Sequence, residues 1–126
     1  MSLDSLIKEN SFHDSFIVKA KYDLQRKNLY VKLVQLFSEL SINNEIDIDI
    51  KPDDQVEIEI YLEGIEYICP DIGNLDDNEI ISVNNGKIGE FDIIMIQFLH
   101  EGLYKEMYIR GCNLNTKVNV LGIYKY

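Results

Sequence analysis

The chain contains two histidines, His13 and His100, and two cysteines, Cys69 and Cys112. These are the side chains most able to carry nucleophilic, acid–base or metal chemistry. His13 opens the run His13-Asp14-Ser15, and His100 is followed by Glu101. Imidazole nitrogen and carboxylate oxygen together suit a zinc-like ion, so His13, Asp14, His100 and Glu101 form one candidate metal set. The simpler reading has Asp14 or Ser15 hydrogen-bonding local backbone where the first strand begins. Ser15 and Asp14 with either histidine would supply the groups of a hydrolase triad, and Cys69 or Cys112 with His100 those of a thiol nucleophile. No GxSxG turn supports the triad, and both cysteines lie in apolar, strand-like surroundings that favour an inert thiol. The phosphate-binding GxxxxGK[ST], the dinucleotide GxGxxG and the zinc-binding HExxH are all absent. The residues assign no catalytic group and imply no cofactor. A metal-dependent enzyme using His13 and His100 stays as an alternative.

Carboxylates give the stronger signal. The net charge is −10, from 22 acids and 12 bases. Between residues 39 and 79 stand fourteen acids and one base, Lys51. Such a segment repels nucleic acid and anionic membrane and attracts basic protein surfaces or cations. Asp47, Asp49, Asp53, Asp54, Glu57, Glu59, Glu63, Asp76, Asp77 and Glu79 are the candidate partner-binding residues. The competing reading is a face that only confers solubility. The stretch Asp71–Glu79 is rich in oxygen ligands but lacks the EF-hand spacing, so a solvated acidic loop is the simpler reading than a calcium site.

These residues need elements to position them, and the composition points to strands. Ile occurs 19 times and Ala once, a bias toward pleated surfaces and away from helices. Residues 3–10 suit one or two helical turns. Residues 15–23 alternate with Phe16, Val18, Ala20 and Tyr22 on one side and Lys19 and Lys21 on the other. Residues 29–37 fit both periods, and their hairpin-like flanks favour strand. Residues 46–50 and 56–62 alternate strictly, with Pro52-Asp53-Asp54 as a turn, so the two runs read as a hairpin with Asp47, Asp49, Glu57 and Glu59 on its outer face. Like charges facing across strands are destabilising, so lysines, a cation or a partner should offset them. Asn84-Asn85-Gly86 reads as a hairpin turn between strands 79–83 and 87–98, Glu101-Gly102 as another, and 104–112 and 116–126 as closing strands. Tyr61, Tyr67, Tyr104, Tyr108, Tyr124 and Tyr126 read as caps on sheet surfaces or as interface residues.

The segments Leu29–Phe37 and Phe91–Leu99 resemble each other, as do Ile60–Glu66 and Met107–Asn113, with Gly64 matching Gly111. The 126 residues therefore read as one domain with an internal repeat, 15–68 and 79–115. The expected fold is mostly β, an antiparallel sandwich or roll built from two three-stranded meanders with a minor N-terminal helix.

The run from Asn10 to Ile17, the alternating strands after it and the LEGIE segment Leu62–Glu66 resemble small all-β bacterial immunity proteins of polymorphic toxin systems. The resemblance implies a toxin-neutralising partner and carries over no catalytic residue. It agrees with an acidic, non-enzymatic binding protein directed at a basic toxin domain. A structural or regulatory β-module is the other binding alternative. No apolar run reaches the roughly 20 residues of a helical span, Met1–Glu9 lacks the features of a signal peptide, and Cys69 and Cys112, far apart and in no CxxC pair, read as two reduced, partly buried thiols, with a single bridge as the alternative. The expected location is thus cytoplasmic. Exposed sheet edges would be protected by pairing in a homodimer, among other ways.

Overall fold

The computed structural model describes residues 6–7, 12, 14–23, 25–39, 50–69 and 78–124. Six antiparallel strands follow one another: β1 (Ser15–Asp23), β2 (Asn28–Leu36), β3 (Gln55–Cys69), β4 (Glu79–Ile88), β5 (Phe91–His100) and β6 (Leu103–Ile123). A 3-10 turn, Phe37–Glu39, follows β2. Around the sheet the order is β1-β2-β3-β6-β5-β4, and β4 returns to β1, so the sheet closes as a barrel. Two three-stranded meanders thus meet along a long β3·β6 ladder and a short β1·β4 seam. The seam consists of Ser15↔Ile80 and Phe16↔Glu79, with Asp14 N–H donating to the Ile80 carbonyl and Ile17 N–H to that of Asn78. The antiparallel β fold is therefore as the alternation implies, in its rolled form. Of residues 3–10, expected as one or two helical turns, only Leu6 and Ile7 lie among the described residues.

Alternate residues of each strand enter the barrel. Val56, Ile58, Ile60 and Leu62 of β3 meet Leu29 and Leu33 of β2, Ile94 and Phe98 of β5, and Met107 and Ile109 of β6. The strand reading of 29–37 holds, because Leu29, Val31 and Leu33 line one face against β3. Leu6, Ile7 and Phe12 join Val31, Val83, Ile96 and other aliphatic side chains around an apolar cavity of about 60 Å³.

Three expectations need correction. Phe16 points outward and Ile17 inward, since a bulge between Ile17 and Lys19 inserts a residue and reverses the phase of the strand. Residues 46–49 of the expected 46–50/56–62 hairpin lie outside the described residues, and the described partners of β3 from Val56 to Glu63 are β2 on one edge and β6 on the other. Asn84-Asn85-Gly86 lies within β4, paired with Met95, Ile94 and Ile93. The turn comes three residues later at Gly89-Glu90, and so the ladder reaches Ile88↔Phe91. Finally, the last two strands are one 21-residue strand, β6, which pairs with β5 through its first half and with β3 along most of its length.

The strand is continuous because its irregularity is absorbed where β3 and β6 cross. Gly64 has φ +92°, Asn113 has φ 51°, and the register shifts on either side of Ile65. A β-carbon on Gly111 would collide with the Gly64 carbonyl oxygen, so the two backbones approach closely because residue 111 is glycine, while Gly64 supplies the positive φ. Asp92 fixes the bulge by accepting the Leu114 N–H at 3.1 Å.

Candidate functional site

The first outward carboxylates of β3 are Glu57 and Glu59, which the pairing places between β2 and β6. Lys32 is opposite Glu59 and Val34 opposite Glu57 on one side; Asn119 and Gly122 take the equivalent places on the other. Lys32 Nζ lies 2.8 Å from Glu57 Oε1. The hydrogen bond to Glu57 and its charge raise the lysine pKa above its ordinary value. Tyr30 donates its hydroxyl to Glu59 Oε2 at 2.8 Å, and Asn119 Nδ2 donates to Oε1 at 3.4 Å. Burial, the Glu59 hydrogen bond and nearby carboxylate charge push the Tyr30 pKa up to about 12. The Tyr61 ring stands 5.0 Å from that of Tyr30. Neighbouring lysine, phenol and amide groups therefore offset these two carboxylates, which is the first of the remedies the sequence calls for.

Other acids of the candidate set differ from this pair. Glu63, opposite Asn28 and Asn115, is exposed, as is Glu66 farther along the strand. Asp53 is exposed in the turn before β3, whereas Asp54 turns its carboxylate back to the Lys51 N–H at 2.9 Å. Glu79 begins β4, half-buried beside Phe16 and Leu99. Asp47, Asp49, Asp76 and Asp77 lie outside the described residues. The structure thus brings Glu57, Glu59 and Glu63 together on one outer face, with Asp53 in the turn that leads into it.

The candidate metal set is not assembled among the described residues, and His13 lies outside them. Asp14 is exposed with φ 62°, its N–H committed to Ile80. His100 donates from Nδ1 to the Asn78 Oδ1 at 2.7 Å, and its Nε2 lies 3.9 Å from Glu101 Oε1. Among the described residues, no three histidine, cysteine or carboxylate side chains converge as a metal group would require. Ser15 is fully buried and donates to the Phe12 carbonyl at 2.6 Å, the local backbone role open to it from sequence. Both cysteines are free thiols. Cys69 is exposed, contrary to the partly buried pair expected. Cys112 is half-buried, and burial, followed by the charges of Glu66, Glu90 and Asp92, pushes its thiol pKa up.

A second outer face carries Tyr67, Tyr104 and Tyr108, which the sequence offers as sheet caps or interface residues, together with Glu106 and Arg110, which it does not single out. Along β6, Tyr104, Glu106, Tyr108 and Arg110 project outward while Met107 and Ile109 are buried. Glu106 accepts from Tyr108 OH at 2.9 Å and from Gln97 Nε2 at 3.2 Å, and Gln97 accepts from Ser82 at 2.7 Å. These hydrogen bonds hold the Glu106 carboxyl below its usual pKa. The Arg110 guanidinium lies 5.2 Å from the Tyr67 ring centroid and 5.0 Å from that of Phe91. The YKEMYIR alternation was the available signal, but its significance depends on which strands lie beside it. Among the described residues, no helix is long and apolar enough to cross a membrane. No family model matches the chain, and neither curated proteins nor solved structures show significant similarity to it.

Proposed function

We propose that the chain is a non-enzymatic binding protein that presents carboxylates to a basic protein partner, and that this partner is a toxin domain it neutralises in the manner of an immunity protein. The observation that carries the reading is the concentration of fourteen acids and a single base within residues 39–79, in a chain of net charge −10. Within that segment Asp53, Glu63 and Glu66 are exposed and form no ion pair among the described residues. Glu57 and Glu59 are held by Lys32, Tyr30 and Asn119, so they shape the face more than they meet the partner. A surface of this sign favours fast, salt-sensitive association with a positively charged partner. Nuclease toxins carry basic clefts for phosphates and are one partner class of that kind. In this reading the chain acts in the cytoplasm, where its two free thiols stay reduced.

The test is affinity capture at low and high salt, followed by co-expression of the captured domain with the chain. The wild type is expected to retain a basic partner, release it in salt and relieve its toxicity. The triple variant Asp53→Asn/Glu63→Gln/Glu66→Gln is expected to lose all three effects. A folded triple variant that holds the same partner with unchanged salt dependence would overturn the proposal.

A further inference from the structure

We propose that two copies of the chain associate through the outer ridge of β6, with Glu106 of one copy facing Arg110 of the other across a two-fold axis at Tyr108. The ridge lies away from Glu57, Glu59 and Glu63, with Glu66 the one partner-facing acid near it, next to Tyr67; the inference rests on Glu106 and Arg110 and does not depend on the toxin reading.

The argument begins with two opposite charges that are fixed but unpaired. The hydrogen bonds from Tyr108 and Gln97 hold the Glu106 carboxylate, and Tyr67 and Phe91 hold the Arg110 guanidinium between them. Neither charge has an ion-pair partner among the described residues. Side chains already held in place lose less freedom on association, and Tyr and Arg dominate the energetics of known interfaces. Tyr108 is 42% exposed and Tyr104 81%, in contrast to the buried Met107 between them. The ladders place Met95 and Ile93 on one side of the ridge and Cys69 and Tyr67 on the other. Flanking contacts of this kind exclude water from the residues at the centre of an interface.

Geometry selects the occupant. Residues 106, 108 and 110 point the same way along one strand, so each charge stands about 7 Å from Tyr108 along the backbone. A two-fold axis lying in the plane of this face and across the strand reverses the strand direction. It brings residue 106 opposite residue 110 and leaves 108 opposite itself. The ridge is therefore self-complementary in charge, as a two-fold interface requires. A uniformly basic partner would be repelled by Arg110 and a uniformly acidic one by Glu106; a second copy satisfies both.

Sedimentation velocity over a concentration series tests this. The wild type is expected to approach twice the 14.7 kDa chain mass at high concentration and to dissociate on dilution. Glu106→Arg and Arg110→Glu each place like charges across the axis twice over, and each is expected to weaken association at least about tenfold. Mixing the two variants sets two arginines against two glutamates and is expected to restore a dimer of one copy of each. Circular dichroism establishes that each variant is folded. Glu106→Gln and Arg110→Gln give a milder version of the same readout if a reversal does not fold. A wild type that stays monomeric at its solubility limit would overturn the inference. So would a dimer indifferent to both reversals, or reversed variants that mixing does not rescue.

Discussion

Replacing Tyr30 by Phe removes one hydroxyl and nothing else, and the structure gives its effect both a size and a pH dependence. The hydroxyl donates to the Glu59 carboxylate at 2.8 Å, and the Tyr30 pKa is pushed up to about 12 from an ordinary value of 10.0. A group that holds its proton more tightly in the folded chain stabilises the fold below its unfolded pKa. That contribution is lost as pH rises from about 10 through about 12. Two pKa units correspond to about 2.7 kcal/mol at most. The hydroxyl lies at the barrel surface, and solvent screening reduces this to roughly 1 kcal/mol, near the value for a hydrogen bond to a charged group at a partly wet site. Urea unfolding of wild type and Tyr30→Phe at pH 8 should therefore differ by about 1 kcal/mol in favour of the wild type. The difference should shrink steadily toward pH 12. Comparing the two proteins at each pH cancels the titration of the other tyrosines and lysines. A difference that is flat between pH 8 and pH 12, or absent at pH 8, would refute the assignment of Tyr30 and Glu59 as a protonated donor and its carboxylate acceptor.

Other expectations follow from packing. Gly111→Ala should destabilise the barrel by about 2–3 kcal/mol, because the added carbon meets a backbone oxygen that cannot move aside. Gly86→Ala, where nothing lies within 4 Å, should change stability by less than about 0.5 kcal/mol, as urea unfolding of the two glycine variants beside the wild type would measure. Val83→Ile adds a methylene beside the 60 Å³ cavity and should stabilise by up to about 1 kcal/mol; a loss of stability would mean that the cavity wall is not as placed. In a thiol-reagent time course at pH 8, run dilute enough to keep the chain monomeric, the exposed Cys69 should react first and Cys112 more slowly. Cys69→Ser should remove the fast phase alone.

Much of the strand content was legible in the residues themselves. VEIEIYL at 56–62 alternates with no exception until Gly64, and Val56, Ile58, Ile60 and Leu62 are all buried. The two segments compared with Leu29–Phe37 and Ile60–Glu66 fall on β5 and β6, while their counterparts fall on β2 and β3. The candidate site was legible as composition but not as geometry. The sequence identifies Glu57 and Glu59 as outward carboxylates, but it does not show that Lys32, Tyr30 and Asn119 answer them, because those residues arrive from β2 and β6.

What the sequence by itself determined is the local period: which stretches extend, which side chains alternate, and where charge accumulates. These follow from the two-residue repeat of the pleat and from side-chain type alone. The tertiary structure decided the pairing. It gave β3 the neighbours β2 and β6 where adjacency along the chain suggested 46–50, carried Asn84-Asn85-Gly86 through β4, and turned Phe16 outward with a bulge. It also set Gly64 against Gly111. A strand's hydrogen-bonding edges are chemically alike whatever its sequence. Which partner takes each edge therefore depends on the long-range sum of ladder bonds, core burial and loop closure, and no local pattern in the chain contains that sum.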